Sequence, residues 1–260
     1  MKNFNKDNSM KKFKCVLGMA ALVLSMVSNA VAAQPTLPTV PNDARIIAVT
    51  TVSEWEGIQE KIDQLPASDK NLIIRVKGDI NFSSNVGMPW SGAPANLNKT
   101  IDMGKRNVYV VGEKNSSNSL SGILLKGAGV SLFKNVDTVY IENVDFKNCY
   151  LLAKSDGSHN SAAFLADNPK GVYLNKVTLE NVGVKGVPDS DGKQPVFSTV
   201  GFLADSSNCN AASCGAFIFR ELSVDGLTID SLLSIRTGGF LGYASGSGLI
   251  MSSRLKNISV

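Results

Sequence analysis

Residues 141–146 read Ile-Glu-Asn-Val-Asp-Phe, a frame of apolar, two polar, apolar, one polar and apolar residues. The same frame begins again at Leu174, at Phe219 and at Leu255. The four starts lie 33, 45 and 36 residues apart. Self-similarity at a period of roughly 20–50 residues is typical of stacked repeat folds. The frame therefore predicts a repetitive architecture over the second half of the chain.

Each of the first three copies continues with a two-residue polar break and a second apolar strand. These second strands are Cys149–Leu151, Val182–Val184 and Leu227–Ile229. A phenylalanine also precedes each copy, at Phe133, Phe164, Phe202 and Phe240. Side chains alternate between the two faces of a strand, and the breaks interrupt that alternation at constant positions. This pattern predicts a coil of short strands joined by tight bends, whose turns stack to bury their apolar faces.

Stacking places equivalent inward residues above one another. The two predicted stacks are Ile141, Leu174, Phe219 and Leu255, and Val144, Val177, Leu222 and Ile258. Cys149 takes the same place as Val182 and Leu227, so we expect a buried thiol that packs as a small apolar side chain. A reactive or bridging role is the alternative for this cysteine.

Residues 53–65 predict the single helix of the chain. Ser53 suits an N-cap and Pro66 ends the segment. Its apolar residues Trp55, Ile58, Ile62 and Leu65 fall on one helical face. From residue 71 onward the sequence shows recurrent short strands and no second helix pattern.

The N-terminus has the features of an export signal. Residues 1–33 combine a lysine-rich start, an apolar run from Cys15 to about Val27 and the small residues Val31-Ala32-Ala33. This predicts a cleaved signal peptide; an uncleaved membrane anchor is the alternative. Residues 34–45 carry three prolines and predict a stiff, extended leader, and residues 46–260 then form one domain.

Charge gives no support to a nucleic-acid partner. The chain carries a formal net charge of +4, but residues 1–33 hold five lysines and one aspartate. The remaining residues are neutral, with 21 basic and 21 acidic side chains. A nucleic-acid-binding domain would need a basic patch.

Cys209 and Cys214 lie five residues apart in a polar loop, in the copy whose spacing expands to 45 residues. In an exported protein this spacing predicts a local disulfide. The fourth copy of the frame ends at Val260, and the second strand of the other copies does not follow it. We therefore expect an open coil, which is either continued in a longer chain or covered by another chain or copy.

At this point the chain resembles the right-handed parallel β-helix proteins of the pectate-lyase-like superfamily. The resemblance rests on the segment 53–65, which is similar to that family's cap helix, and on residues 105–112 and 133–146, which are similar to its early coils. Residues 238–250 are similar to the glycine-rich GLUG repeat of bacterial surface and secreted proteins. The resemblance implies an all-β solenoid with a short N-terminal amphipathic cap helix, in an adhesin-like or autotransporter-passenger-like protein.

The catalytic groups of that superfamily are not found in the sequence. The lyase segment around Trp-Ile-Asp-His is missing, and so are the aspartate pairs and the Gly-His-Gly group of the hydrolases. His159 lies in a polar loop. Asp189 and Asp191 are similar to part of a calcium loop but lack its later ligands, so a tight turn explains them better. We predict no catalytic residue, no cofactor and no metal.

Two hypotheses from different classes follow. The first is a non-enzymatic exported β-helix that offers an elongated surface for adhesion or recognition at or outside the bacterial cell surface, with a host-surface or matrix glycan or protein as partner. The second is a divergent polysaccharide lyase or glycoside hydrolase acting on acidic glycans, which rests on fold analogy.

Overall fold

Strands dominate the computed structural model, which describes residues 36–82, 99–157, 161–205, 216–230, 233–241 and 248–260. The helices are α1 (Val52–Glu56) and α2 (Ile58–Asp63). The strands are β1 (Arg45–Val49), β2 (Asn71–Val76), β3 (Asp79–Asn81), β4 (Ile101–Gly112), β5 (Ser119–Ser121), β6 (Leu124–Gly127), β7 (Phe133–Glu142), β8 (Asp145–Lys147), β9 (Tyr150–Ala153), β10 (Ser161–Ala163), β11 (Ala166–Asp167), β12 (Gly171–Gly186), β13 (Val196–Gly201), β14 (Ala204–Asp205), β15 (Phe217–Asp230), β16 (Leu233–Thr237), β17 (Gly248–Met251) and β18 (Arg254–Ser259).

Every strand pair in the described residues is parallel, and most pairs join segments about one repeat apart. A first series runs in the order β1, β2, β4, β7, β12, β15 and β17. A second series runs in the order β3, β5, β8, β12, β15 and β18. Strands β10, β13 and β16 form a separate sheet. The large sheet curls like a half-barrel, a shape compatible with a β-helix.

Two bends lie within each of the last four repeats, five residues apart, and each puts one residue at positive φ. The first bend falls at Asn143, Lys176, Glu221 and Ser252. The second falls at Asn148, Asn181, Gly226 and Asn257. The strand registers place the residues of each set side by side across the sheet. Asparagine and glycine tolerate this backbone region better than other residues, which explains the second set.

The side chains on the inner face of both series form the main core. Leu174 lies between Ile141 and Phe219 in neighbouring strands, as the sequence predicted, and all three are buried. Cys149 is also buried as a free thiol, which confirms that it packs as a small apolar side chain. Burying each leucine, isoleucine or phenylalanine side chain contributes roughly 1.5–3 kcal/mol to the stability of the fold.

The predicted register of the fourth copy is wrong. Leu255 pairs with Val224 rather than with Phe219, whose partner is Ile250. Ile258 likewise pairs with Leu227 rather than with Leu222. The frame at residues 255–260 therefore contains the second strand that we expected to be missing, and β17 is the first strand of this repeat. The cause is that both bends have the same local pattern, since Val224-Asp-Gly-Leu is also apolar, two polar and apolar.

Inward residues of the last two strands are partly exposed: Ile250 is 55% exposed and Leu255 is 44% exposed. Among the described residues, β17 and β18 pair with β15 alone. That another chain or copy covers these side chains stays a prediction.

The four phenylalanines are not one stack. Phe164 and Phe202 lie in parallel contact, with ring centroids 4.8 Å apart and planes 4° apart. Phe133 instead pairs with Ala166, two residues further along. Phe240 is shifted by one residue relative to Phe202, because the isolated bridge in this segment joins Ala204 to Leu241. Recurrence in the sequence at intervals of 31, 38 and 38 residues therefore did not give these phenylalanines an equivalent place in the fold.

The predicted helix at residues 53–65 is two short helices separated by Gly57, with buried Trp55, Ile58 and Ile62. The N-cap is Thr51 rather than Ser53. The Glu54 backbone N–H donates to Thr51 Oγ1 at 3.2 Å, and the Thr51 N–H donates to Glu54 Oε2 at 3.1 Å. This reciprocal capping box satisfies two orphan donors at the helix start, which a cap at Ser53 would not. Neither described helix is long and apolar enough to cross a membrane.

Arg106 fastens this helical segment to the sheet. Its side chain is buried, although no carboxylate among the described residues pairs with it. The guanidinium donates instead to the backbone carbonyls of Leu65, Pro66, Asp69 and Met103 at 2.9–3.4 Å. A single cation thus satisfies carbonyls at the end of the helical segment and on β4.

We expect Arg106→Ala to lower the free energy of unfolding by about 3 kcal/mol, because it removes a buried guanidinium together with its hydrogen bonds to one buried and three partly buried carbonyls. Arg45 is a matched control: its Nε donates to the same Asp69, at the carboxylate (2.9 Å), from a side chain that is 63% exposed. Exposed pairs contribute little, so Arg45→Ala should cost less than about 1 kcal/mol. Denaturant unfolding monitored by circular dichroism measures both values, and equal losses would contradict the role given to Arg106.

Candidate functional site

The outer face of the second series carries two continuous rows of mostly polar side chains, which we call the polar ladder. One row consists of Asp79, Ser119, Asp145, Thr178, Ser223 and Arg254, and the other of Asn81, Ser121, Lys147, Glu180, Asp225 and Lys256. Neighbouring strands lie about 4.8 Å apart, so each row is about 24 Å long. Rigid strands rather than loops hold these groups, which fixes their spacing.

Hydrogen bonds hold the carboxylates at the β3 end of the polar ladder. Asp79 accepts from the hydroxyl of Ser119 at 2.8 Å and from that of Ser117 at 3.0 Å. The Ser119 hydroxyl is the main reason that the pKa of Asp79 lies below its usual value; Ser117 and the charge of Lys147 lower it further, while partial burial opposes them. Asp145 accepts from the backbone N–H of Thr178 at 2.8 Å. Asp79 is therefore ionised at neutral pH, and hydrogen bonds fix both carboxylates in place.

The β18 end of the polar ladder forms an open groove of about 750 Å³. Its charged lining residues are Glu180, Asp225, Arg254 and Lys256. Asp225 is engaged, since Asn257 Nδ2 donates to it at 2.6 Å and Lys256 Nζ lies 4.0 Å away. The side chains of Glu180 and Arg254 make no hydrogen bond or ion pair within the described part of the chain. The groove thus offers one carboxylate and one guanidinium to a ligand.

A different outer row lies on the first series, and we call Ile73, Tyr109, Tyr140 and Tyr173 the tyrosine row. The rings of Tyr109 and Tyr140 have centroids 5.8 Å apart. Burial, with the neighbouring charge of Glu142, raises the pKa of Tyr140 to about 12, so its phenol is protonated at neutral pH.

A polar network borders the tyrosine row. Tyr140 Oη donates to Glu142 at 3.1 Å, Asn175 Nδ2 donates to the same carboxylate at 2.8 Å, and Arg220 Nε donates to Asn175 Oδ1 at 3.0 Å. These bonds cross from β7 to β12 to β15. Arg220 is therefore an outward-facing charge held by its neighbours.

The acidic loop at residues 189–192 is a turn. Asp189 Oδ1 accepts from the backbone N–H groups of Asp191 and Lys193, each at 2.9 Å, and the Gly192 N–H donates to the Asp189 carbonyl at 3.1 Å. The carboxylate is thus used by its own loop. Within the described ranges, no group of three or more His, Cys, Asp or Glu side chains could hold a metal ion.

Several predicted features lie outside the described residues. These are His159, the cysteines Cys209 and Cys214, and the segment 1–33. The disulfide and the signal peptide stay predictions.

Neither outer row was found from the sequence, although a signal was present. Tyr109, Tyr140 and Tyr173 each stand between two apolar residues of a predicted strand. Alternation alone would have placed all three on the outer face, and the repeat spacing would have brought them together.

The comparisons with known proteins give no relative. No protein-family model, curated protein or solved structure matches the chain.

Cys149 should be chemically inert in the folded protein. Its sulfur lies 3.3 Å from the Lys147 carbonyl and 3.4 Å from that of Leu120, and burial raises its pKa to about 12. The thiolate is the reactive form, so we expect no reaction of Cys149 with Ellman's reagent until the protein unfolds. Cys149→Val, which copies the equivalent Val182, should remove that late-reacting thiol and change stability by less than about 1.5 kcal/mol. Rapid labelling of Cys149 under native conditions would contradict its burial.

Asp79 should make stability depend on pH. Its pKa is lowered in the folded state, so its contribution is present above the pKa of the unfolded chain and is lost as pH falls through the folded value. We expect Asp79→Asn to lower the free energy of unfolding at pH 7 and to flatten its decline below about pH 4. Ser119→Ala removes the main hydrogen-bond donor, so it should reproduce part of this change and add little to Asp79→Asn. Denaturant titrations at several pH values measure the free energy of unfolding of both single variants and of the double variant. Losses that add strictly in the double variant would contradict an interaction between Asp79 and Ser119.

Proposed function

We propose that the chain is an exported right-handed parallel β-helix, a solenoid, that offers an elongated outer surface for adhesion or recognition at or outside the bacterial cell surface, without catalysis. One observation carries this proposal: the polar ladder crosses six consecutively paired strands on one outer face. Export is supported by the sequence of residues 1–33.

The chemistry of the polar ladder suits an extended ligand. Its carboxylates, hydroxyls, amide and cations recur at the strand spacing, so they can bond to successive units of one polymer. Because backbone pairing already fixes the strands that carry these side chains, binding has to order side chains alone. A host-surface or matrix glycan, or an extended protein segment, has the matching donors and acceptors.

The groove at the β18 end is where binding should be strongest. Glu180 and Arg254 face solvent there and keep their charged groups available to a ligand. A glycan hydroxyl or a peptide amide would satisfy the carboxylate, and a carbonyl or an acidic group would satisfy the guanidinium.

The test is binding of the purified protein to arrays of host-surface and matrix glycans and proteins. For any ligand found, we expect the double variant Glu180→Ala and Arg254→Ala to bind at least about tenfold more weakly, a loss of about 1.4 kcal/mol. The matched control is Asp137→Ala with Lys170→Ala, which removes an exposed ion pair elsewhere and leaves net charge equally unchanged. Equal affinities of the two double variants would contradict the placement of the binding site.

The same purified protein also tests the alternative function, a divergent polysaccharide lyase or glycoside hydrolase. Polygalacturonate, pectin and other acidic glycans are incubated with the protein and calcium, and new reducing ends and unsaturated products are measured. We expect no turnover. Robust cleavage that is abolished by a carboxylate substitution would overturn the non-enzymatic proposal in favour of a polysaccharide lyase or hydrolase.

A further inference from the structure

Three members of the tyrosine row are buried although the row lies on the outer face of the sheet. Tyr140 is 3% exposed, Ile73 is 5% exposed and Tyr109 is 6% exposed. Ile46 belongs to the same row on the neighbouring edge strand, and it is 51% exposed. An added layer therefore covers only part of the row.

That layer is the proline-containing leader. Leu37, Val40 and Ala44 pack against the buried members of the tyrosine row. Leu37 and Val40 are three residues apart, which is one turn of a polyproline II helix, so both side chains can point to the same surface. Asp43 is also close, because its charge is one cause of the raised pKa of Tyr109, after burial and Tyr173. The leader is thus a strap across the sheet rather than a free spacer.

The strap is held differently from the strands. Residues 36–44 belong to no strand, so they take no place in the parallel ladders that unite the rest of the domain. Apolar side chains on flat tyrosine rings make the contact, and two prolines within the segment have no N–H that needs a partner. A segment held in this way can leave without breaking the sheet.

The surface under the strap continues beyond it. Tyr173 is the next member of the row, packs against the same cluster and is only partly buried. Ile218 and Leu249 follow it on β15 and β17. Ile218 is itself fully buried, so the partly exposed residues of the row beyond the leader are Tyr173 and Leu249.

We propose that the tyrosine row is a docking groove for an extended, proline-containing segment with apolar residues three apart. The leader at residues 36–44 fills it in cis, and the leader of a second copy fills it in trans when the resident leader is displaced. Aromatic grooves favour such segments because the polyproline II form is already extended and loses little entropy on binding. A second copy carries the identical segment, so exchange keeps every contact. This inference uses a different outer row from the polar ladder, although β12 and β15 contribute residues to both, and it does not depend on the proposed function.

The test uses the full chain and a fluorescent peptide of residues 36–44, Thr-Leu-Pro-Thr-Val-Pro-Asn-Asp-Ala. In the double variant Leu37→Asp and Val40→Asp, the resident leader should be released. Fluorescence anisotropy should then show the peptide binding at least about tenfold more tightly to this variant than to the wild type, whose groove is filled. A peptide with the same two aspartates should not bind, and Tyr109→Ala in the released variant should abolish binding of the natural peptide.

Protection of the Cys149 thiol from Ellman's reagent reports whether each variant is folded. If the aspartate pair exposes the thiol, the milder pair Leu37→Ser and Val40→Ser takes its place. A folded released variant that does not bind the peptide would overturn the proposal. So would equal binding to wild type and variant, or equal binding of the natural and aspartate peptides. Loss of thiol protection in both pairs would overturn it as well, because the leader would then be part of the fold rather than a removable occupant.

Discussion

Two positive-φ bends, kept in line from one repeat to the next, determine the register on which the rest of the molecule depends. Backbone hydrogen bonds cross between repeats at the bends themselves: the Asn143 N–H donates to the Asn175 carbonyl, and the Asn148 N–H donates to the Glu180 carbonyl. Asn181 Nδ2 also donates to Asn148 Oδ1 at 3.2 Å, so side chains repeat the backbone pairing. Shifting a strand by one residue would reverse its inner and outer faces. The bends therefore keep apolar side chains in the core and give the outer rows their order.

The two outer rows follow from that register but differ in chemistry. On the second series, charged and hydroxyl side chains form the polar ladder, and most of them are at least partly exposed, although Ser119 is buried. On the first series, aromatic residues recur at one position, and an exposed row of this kind would be an apolar patch. The leader covers most of it. One fold thus presents a polar surface that suits a ligand and an aromatic surface that already holds a segment of its own chain.

Much of the fold could be predicted from the sequence, because a period of two marks the strands and the polar breaks mark the bends. The stack of Ile141, Leu174 and Phe219 and the burial of Cys149 were confirmed in this way. The predicted register of the last repeat was wrong, because the sequence around both bends reads apolar, two polar and apolar. Only the pairing with β15 distinguishes one bend from the other. The helix start also differed, because Thr51 and Glu54 form a reciprocal cap that competes with Ser53. The outer rows were missed because a row exists only after the repeats are aligned.

By itself, the sequence determined the strand content, the repeat and the apolar positions of the first three copies. Each depends on residue type and short-range spacing, which are local properties. The tertiary structure decided which bend aligns with which, that Arg106 is buried among carbonyls, and that the leader lies on tyrosines far away in the chain. These depend on parallel pairing between segments more than 30 residues apart, and no local pattern encodes which pairing gives the lowest free energy.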